Sequence, residues 1–191
     1  MVIKKNNPEL FSIIYKILKN HGVVIMPCDT IYGIVGVVPH TEKRIRKIKG
    51  RALPKPFLQL IPSRKWLSNF TTMKVPKCVS TYWPGPLTLI FPGIKANAKV
   101  ALRIPKDPFL SKILFFLKKP LYSTSVNRAG QSHLWQIEEI IEQFADKVDA
   151  IVNTGNLERV LPSTIVDLTC KPFVLIREGE LKLSTRLFHE E

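Results

Sequence analysis

Leu10, Ile13, Ile14, Ile17 and Leu18 recur at the spacing of one helix face, with polar residues between them. Asn7 is placed to cap this helix, Pro8 fits its first turn, and Gly22 is placed to end it. The pattern then changes. Val23 to Met26 is an apolar run too short for a helix; it reads as a buried strand closed by Pro27 and followed by the polar turn Cys28-Asp29-Thr30. Thr41 is placed to cap a second helix, running to about Lys47. Leu58–Ile61 reads as a strand, and short helical stretches follow over 64–70 and 76–82. Trp83-Pro84-Gly85-Pro86 must interrupt regular structure. Leu87–Phe91 and Val100–Ile104 read as strands, and Asp107 caps a helix through Leu117. Leu121–Thr124 is a short strand leading into a polar loop over 125–132. A helix over 137–144 and strands at 150–152, 164–168 and 173–177 complete the chain.

Strands and helices mix without strict alternation. That predicts an α/β fold, α+β in some schemes: a twisted mixed sheet with helices on its faces, not a pure doubly wound parallel sheet. No internal repeat or low-complexity linker divides the 191 residues, so one domain over 1–191 is expected. Several of the prolines sit at strand ends, among them Pro27, Pro62, Pro92 and Pro105, as edge and turn punctuation.

Composition adds little until charge is counted. Hydrophobic and charged fractions are ordinary, and a chain of this size buries about 70% of its unfolded surface without needing disulfides. Cys28, Cys78 and Cys170 form no C-x-x-C pair and have no histidine at zinc-ligand spacing, which suits a reducing cytosol. The N-terminus shows no signal-peptide pattern and no window approaches a membrane span, so a cytoplasmic location without membrane contact is expected. The net charge of +14 is not ordinary. A field of that sign attracts polyanions, although a compositional bias toward lysine accounts for such an excess equally well.

The charge is concentrated. Residues 42–55 hold seven basic side chains and one acid, Glu42. A solvated helix face explains Lys43, Arg44, Arg46 and Lys47. It explains Lys49, Arg51 and Lys55 less well, because Gly50, Pro54 and Pro56 forbid regular helix there. Converging cations of this kind suit a polyphosphate. Three further polar clusters lie at strand ends: Asp29-Thr30-Ile31-Tyr32-Gly33, Ser123-Thr124-Ser125-Val126-Asn127, and Pro162-Ser163-Thr164, with Arg177 after the last strand. Each alone is equally an ST-turn or Asx-turn. There is no P-loop, no G-x-G-x-x-G, no H-E-x-x-H and no G-x-S-x-G. His21, His40, His133 and His189 are scattered, so no metal site is predicted.

In order and spacing, these clusters resemble the YrdC family from about Val23 to Gly179. The carrying motifs are Pro27-Cys28-Asp29-Thr30-Ile31-Tyr32-Gly33, Lys49-Gly50-Arg51, Trp83 to Thr88, Ala101 to Pro105, Ser123 to Asn127, Ser163 to Asp167 and Ile176 to Gly179. The chain departs from the family pattern at Cys28 for threonine, Ala52 for proline, Val126 for alanine and Ala129 for serine. An aspartate usual near Val37 is missing. The length matches the family's single-domain form. The resemblance implies a twisted sheet around a concave basic pocket and the synthesis of threonylcarbamoyl-AMP and pyrophosphate from L-threonine, bicarbonate and ATP. ATP would enter as a substrate accompanied by Mg²⁺, and no tightly bound cofactor is implied. A downstream complex would transfer the threonylcarbamoyl group to tRNAs that read ANN codons. It also implies site roles. Lys49 and Arg51 would be catalytic and, with Ser125, Asn127, Ser163 and Arg177, would hold ATP. Thr30, Tyr32, Lys55, Arg103 and Ser123 would hold threonine and its carbamate. Two other readings stay open at this point: a module binding tRNA or double-stranded RNA through phosphate contacts, and a scaffold subunit without catalysis.

Overall fold

The computed structural model describes residues 1–50, 56–157 and 161–184. Along the chain these form β1 (Val2–Lys4), α1 (Leu10–Lys19), β2 (Val23–Pro27), β3 (Tyr32–Val37), α2 (Glu42–Lys49) and β4 (Leu58–Leu60). A 3₁₀ helix (Arg64–Asn69), α3 (Lys77–Ser80), β5 (Leu87–Pro92), β6 (Lys99–Arg103) and α4 (Pro108–Leu117) follow. Then come β7 (Leu121–Ser125), α5 (Ile137–Phe144), β8 (Ala150–Asn153), β9 (Thr164–Asp167) and β10 (Val174–Arg177). The strands build one mixed ten-stranded sheet in the order β1-β8-β2-β3-β7-β4-β6-β5-β9-β10. β8 runs parallel to β1 and β2, β4 to β6, and β5 to β9; the other pairings are antiparallel. The mixed α/β class expected from the pattern is the one observed.

Two helical layers cover one half of the sheet. On one face, Leu10, Ile14 and Leu18 of α1 and Leu110, Ile113 and Leu114 of α4 pack on Val24, Met26, Val35 and Val37. On the other, Ile45 of α2 and Ile140 and Phe144 of α5 pack on the alternate strand residues Val23, Ile25, Ile34 and Ile151. The isoleucines of α1 are mediocre helix formers by a few tenths of a kcal/mol each, but burying a large aliphatic side chain contributes about 1.5–3 kcal/mol, so packing decides. The other half of the sheet is covered on one face by Leu67, Val79 and Trp83, which pack on Leu87, Leu89, Phe91, Leu102 and Val166.

Helix ends depart from expectation in two places. α1 begins at Leu10, with Glu9 at its N-cap; Asn7 still anchors the approach, its Oδ1 accepting from Glu9 N at 2.8 Å. Gly22 does not take the left-handed position that ends α1. His21 does (φ 60°): its N–H bonds Leu18 O while Gly22 N–H bonds Ile17 O, a Schellman closure one residue early. Gly22 is needed for room, since a Cβ there would lie 2.5 Å from Ile17 Cγ2. Asp107 caps α4 as expected, accepting from Leu110 N at 2.7 Å. Thr41 occupies the N-cap of α2, but its hydroxyl donates back to Val37 O.

Two strands carry no clear sequence signal, β1 and the central β3. β3 contains Gly33 and Gly36, which disfavour strand. Both are there for close approach: a Cβ on Gly33 would lie 2.7 Å from Cys28 Sγ, and one on Gly36 2.5 Å from Thr41 Oγ1.

Candidate functional site

Alternation along β5, β6 and β9 makes the site. Leu87, Leu89, Leu102 and Val166 turn to the apolar cluster, so Thr88, Ile90, Ala101, Arg103 and Ile165 turn the other way. These residues line a cavity of about 560 Å³, closed on its other sides by the turn after β2, by β7 and by β10. A register irregularity between Leu175 and Arg177 in β10 lets the successive residues Ile176 and Arg177 both face it.

Thr30, Tyr32, Arg103, Ser123, Ser125, Ser163 and Arg177 all line this cavity. Residues from five separate stretches of chain are thus brought together. Arg51 and Lys55 lie outside the described residues. Lys49 and Asn127 stand behind the wall. Lys49 is only 4% exposed, and its Nζ donates to Ser125 O (2.6 Å), Asn127 O (3.1 Å) and Asn127 Oδ1 (2.6 Å). Ser125 Oγ donates to the same Asn127 oxygen at 2.7 Å, and Asn127 Nδ2 donates to Gln131 O at 2.5 Å. In this arrangement Lys49 holds the loop that presents Ser125. Tyr32 is likewise engaged: its hydroxyl hydrogen-bonds Thr154 Oγ1 and Gly155 O, both at 2.8 Å, so its ring forms wall.

The electrostatics centre on two arginines. Arg103 is 2% exposed; Nη2 donates to Cys28 O at 2.9 Å and Nε has no partner. Arg177 donates through Nε (3.0 Å) and Nη2 (2.7 Å) to Ser163 O. Burial, and then the charge of Arg103, hold the Arg177 guanidinium below its usual range. Neither arginine has a carboxylate partner among the described residues. The turn that supplies Thr30 is fixed from outside: Asp29, at φ 63°, accepts from Asp107 N (2.6 Å) and Lys106 N (3.0 Å).

Sequence reasoning left three polar lining residues without a role, Cys28, Thr88 and Thr124, and two of them are buried. Thr88 is buried and its hydroxyl meets Ser163 Oγ at 2.9 Å; strand alternation from Leu87 onward was the signal for it. Cys28 is the other buried one. Burial pushes its thiol up to about 12, against the opposing influence of Arg103, so it is a neutral packing group at neutral pH. Alkylation of the folded protein with iodoacetamide is expected to label exposed Cys170 and spare Cys28, as peptide mapping would show; early labelling of Cys28 would contradict its burial.

This mixed sheet flanked by helices is found in known proteins. The family profile described as "Telomere recombination" (Sua5_yciO_yrdC) matches residues 16–179, and the chain belongs to that family. A Pyrococcus abyssi protein named threonylcarbamoyl-AMP synthase is 29% identical over 180 residues, covering 87% of this chain but 53% of its own length. The crystal structure of P. abyssi Sua5 complexed with L-threonine superposes with a TM-score of 0.81 at 26% identity, over 94% of this chain and 57% of that one. E. coli YciO, at 24% identity and a TM-score of 0.83, matches over 98% of both chains and shows the shared fold. The chain thus spans about half the length of the P. abyssi relative and nearly all of YciO.

Proposed function

We propose that this chain, read as one domain over 1–191, is a threonylcarbamoyl-AMP synthase. The observation that carries the reading is the pair Arg103 and Arg177, two cations facing one cavity with no acid to neutralise them among the described residues. Such a pair is unfavourable empty and favourable around an anionic ligand. A substrate with both a carboxylate and a phosphate chain fits it. The naming of the P. abyssi relative and the threonine bound to P. abyssi Sua5 support the enzyme over a purely RNA-binding module.

In this reading Arg103 grips the threonine carboxylate, beside Thr30, Ser123 and Lys55. Arg177, Ser163, Ser125 and Arg51 hold the phosphates of ATP, and Lys49 with Asn127 sets the position of Ser125. The threonine amine adds to carbon dioxide derived from bicarbonate and loses a proton, giving a carbamate. A carbamate oxygen then forms a bond to the α-phosphorus while the bond to the bridging oxygen breaks, and pyrophosphate leaves with that electron pair. Negative charge grows on phosphate oxygens, so positioned cations and hydroxyls are the main catalytic resource. ATP enters as its Mg²⁺ complex; among the described residues no cluster of three His, Cys, Asp or Glu side chains is placed to hold a metal. The product serves a downstream complex that modifies tRNA. The three free cysteines suit a cytoplasmic setting, and no helix among the described residues is long and apolar enough to cross a membrane.

Pyrophosphate release by the purified protein tests this. Release is expected only with ATP, threonine and bicarbonate together. Release that ignores threonine would refute the assignment.

A further inference from the structure

α1 and α4 pack together on one face of the sheet, and they carry a group of aromatic rings that the proposed reaction does not use. Between ring centres, Phe11 lies 5.4 Å from Phe116 and 6.0 Å from Tyr15, and Phe116 lies 5.5 Å from Phe115. Phe115 and Phe116 are 66% and 51% exposed, so they stand out into solvent. Exposed lysines flank them: Lys16 and Lys19 on α1, Lys112 on α4, and Lys118 and Lys119 just after it. Lys112 Nζ lies over the Phe11 ring at 4.6 Å. Neither helix contains an acid. Glu9 and Asp107 sit at their N-caps, and Asp107 is spent on Leu110 N. Among the described residues none of the five lysines forms an ion pair. None of these aromatic or lysine residues lines the arginine cavity.

We propose that this face docks on the surface of an anionic lipid bilayer. The inference is independent of the catalytic reading. Two protruding apolar rings among unpaired cations match the two layers such a surface offers, acyl chains below and negative headgroups above. Lysine stems cover apolar surface while their ammonium groups stay with the headgroups. A second copy of this chain is a poor occupant, because a contact between two identical faces would set these lysines against one another. No helix among the described residues is long enough to cross a bilayer, but contact with its surface requires only an apolar stripe edged by cations.

Co-sedimentation with vesicles of equal parts phosphatidylcholine and phosphatidylglycerol tests the proposal, with pure phosphatidylcholine vesicles beside them. The wild type should bind the mixed vesicles and bind the neutral ones far more weakly. Lys112→Ala/Lys119→Ala is expected to weaken partitioning about 25-fold, about fivefold for each lysine at the surface. Phe115→Ser/Phe116→Ser should weaken it at least about tenfold with the charge unchanged. Lys43→Ala/Lys47→Ala removes the same charge from exposed positions of α2, on the opposite face of the sheet, and should bind as the wild type does. All three variants should keep a melting temperature within a few degrees of wild type and unchanged threonine-dependent pyrophosphate release. That readout separates a failure here from a failure of the proposed activity. Absence of binding to the mixed vesicles, equal binding to neutral ones, an equal loss in the α2 variant, or full binding by the phenylalanine variant would each overturn the proposal, the first leaving an acidic protein surface as the partner of this face.

Discussion

Arg103→Met is expected to lower kcat/KM for threonine about 100-fold while the melting temperature stays within a few degrees of wild type. Arg103 is buried, spends one donor on Cys28 O, and leaves its Nε without a partner. A carboxylate accepting two parallel N–H bonds is the ligand that uses such a fork fully. Hydrogen bonds to charged groups contribute about 1.5–3 kcal/mol each, and about 2.7 kcal/mol corresponds to 100-fold. The fold should tolerate the change because Arg103 faces the like charge of Arg177. Methionine removes that repulsion while filling similar space, and Cys28 O still accepts from Thr30 N at 2.7 Å. Arg103→Lys keeps the charge without the planar fork and should recover only a small part of the activity. Threonine titrations of pyrophosphate release, with ATP saturating, measure this. An unchanged threonine dependence would remove Arg103 from the site.

Lys49→Met should show a different signature, losing activity and stability together. Its ammonium fills three oxygen acceptors, two of them backbone carbonyls, under nearly complete burial. Unsatisfied buried acceptors cost about 1–3 kcal/mol each, and about 3 kcal/mol corresponds to a drop in melting temperature of about 6–12 °C for a chain of this size. The freed loop carries Ser125, so pyrophosphate release should fall by at least about tenfold. A lysine that only touched phosphate would leave the melting temperature unchanged. Calorimetry of the ligand-free protein therefore separates the positioning role from direct phosphate contact.

Much of the architecture was legible in the chain. The 3.6-residue spacing of α1, the Asp107 cap of α4 and the apolar runs of β2, β5 and β6 follow from local rules, and most elements lie within a few residues of expectation. β3 was not legible. Its glycines look like loop residues until Cys28 and Thr41 are seen pressed against them. The end of α1 was misplaced because His21, not Gly22, takes the left-handed conformation.

For the site, the local chain specified which groups exist: clustered cations, hydroxyls and an amide at strand ends, in a recognisable order. It did not specify which way each one points. Strand alternation turns Thr88 and Arg103 into the cavity, and the irregularity in β10 adds Arg177. Folding turned Lys49 inward to the loop of Ser125 and Asn127. A cation's role depends on which oxygen atoms share its space, and those atoms come from strands far apart in the chain. Side-chain type and local geometry are therefore properties of the sequence, whereas the pairing of Arg103 with Arg177, and the burial of Lys49, exist only once the sheet has closed.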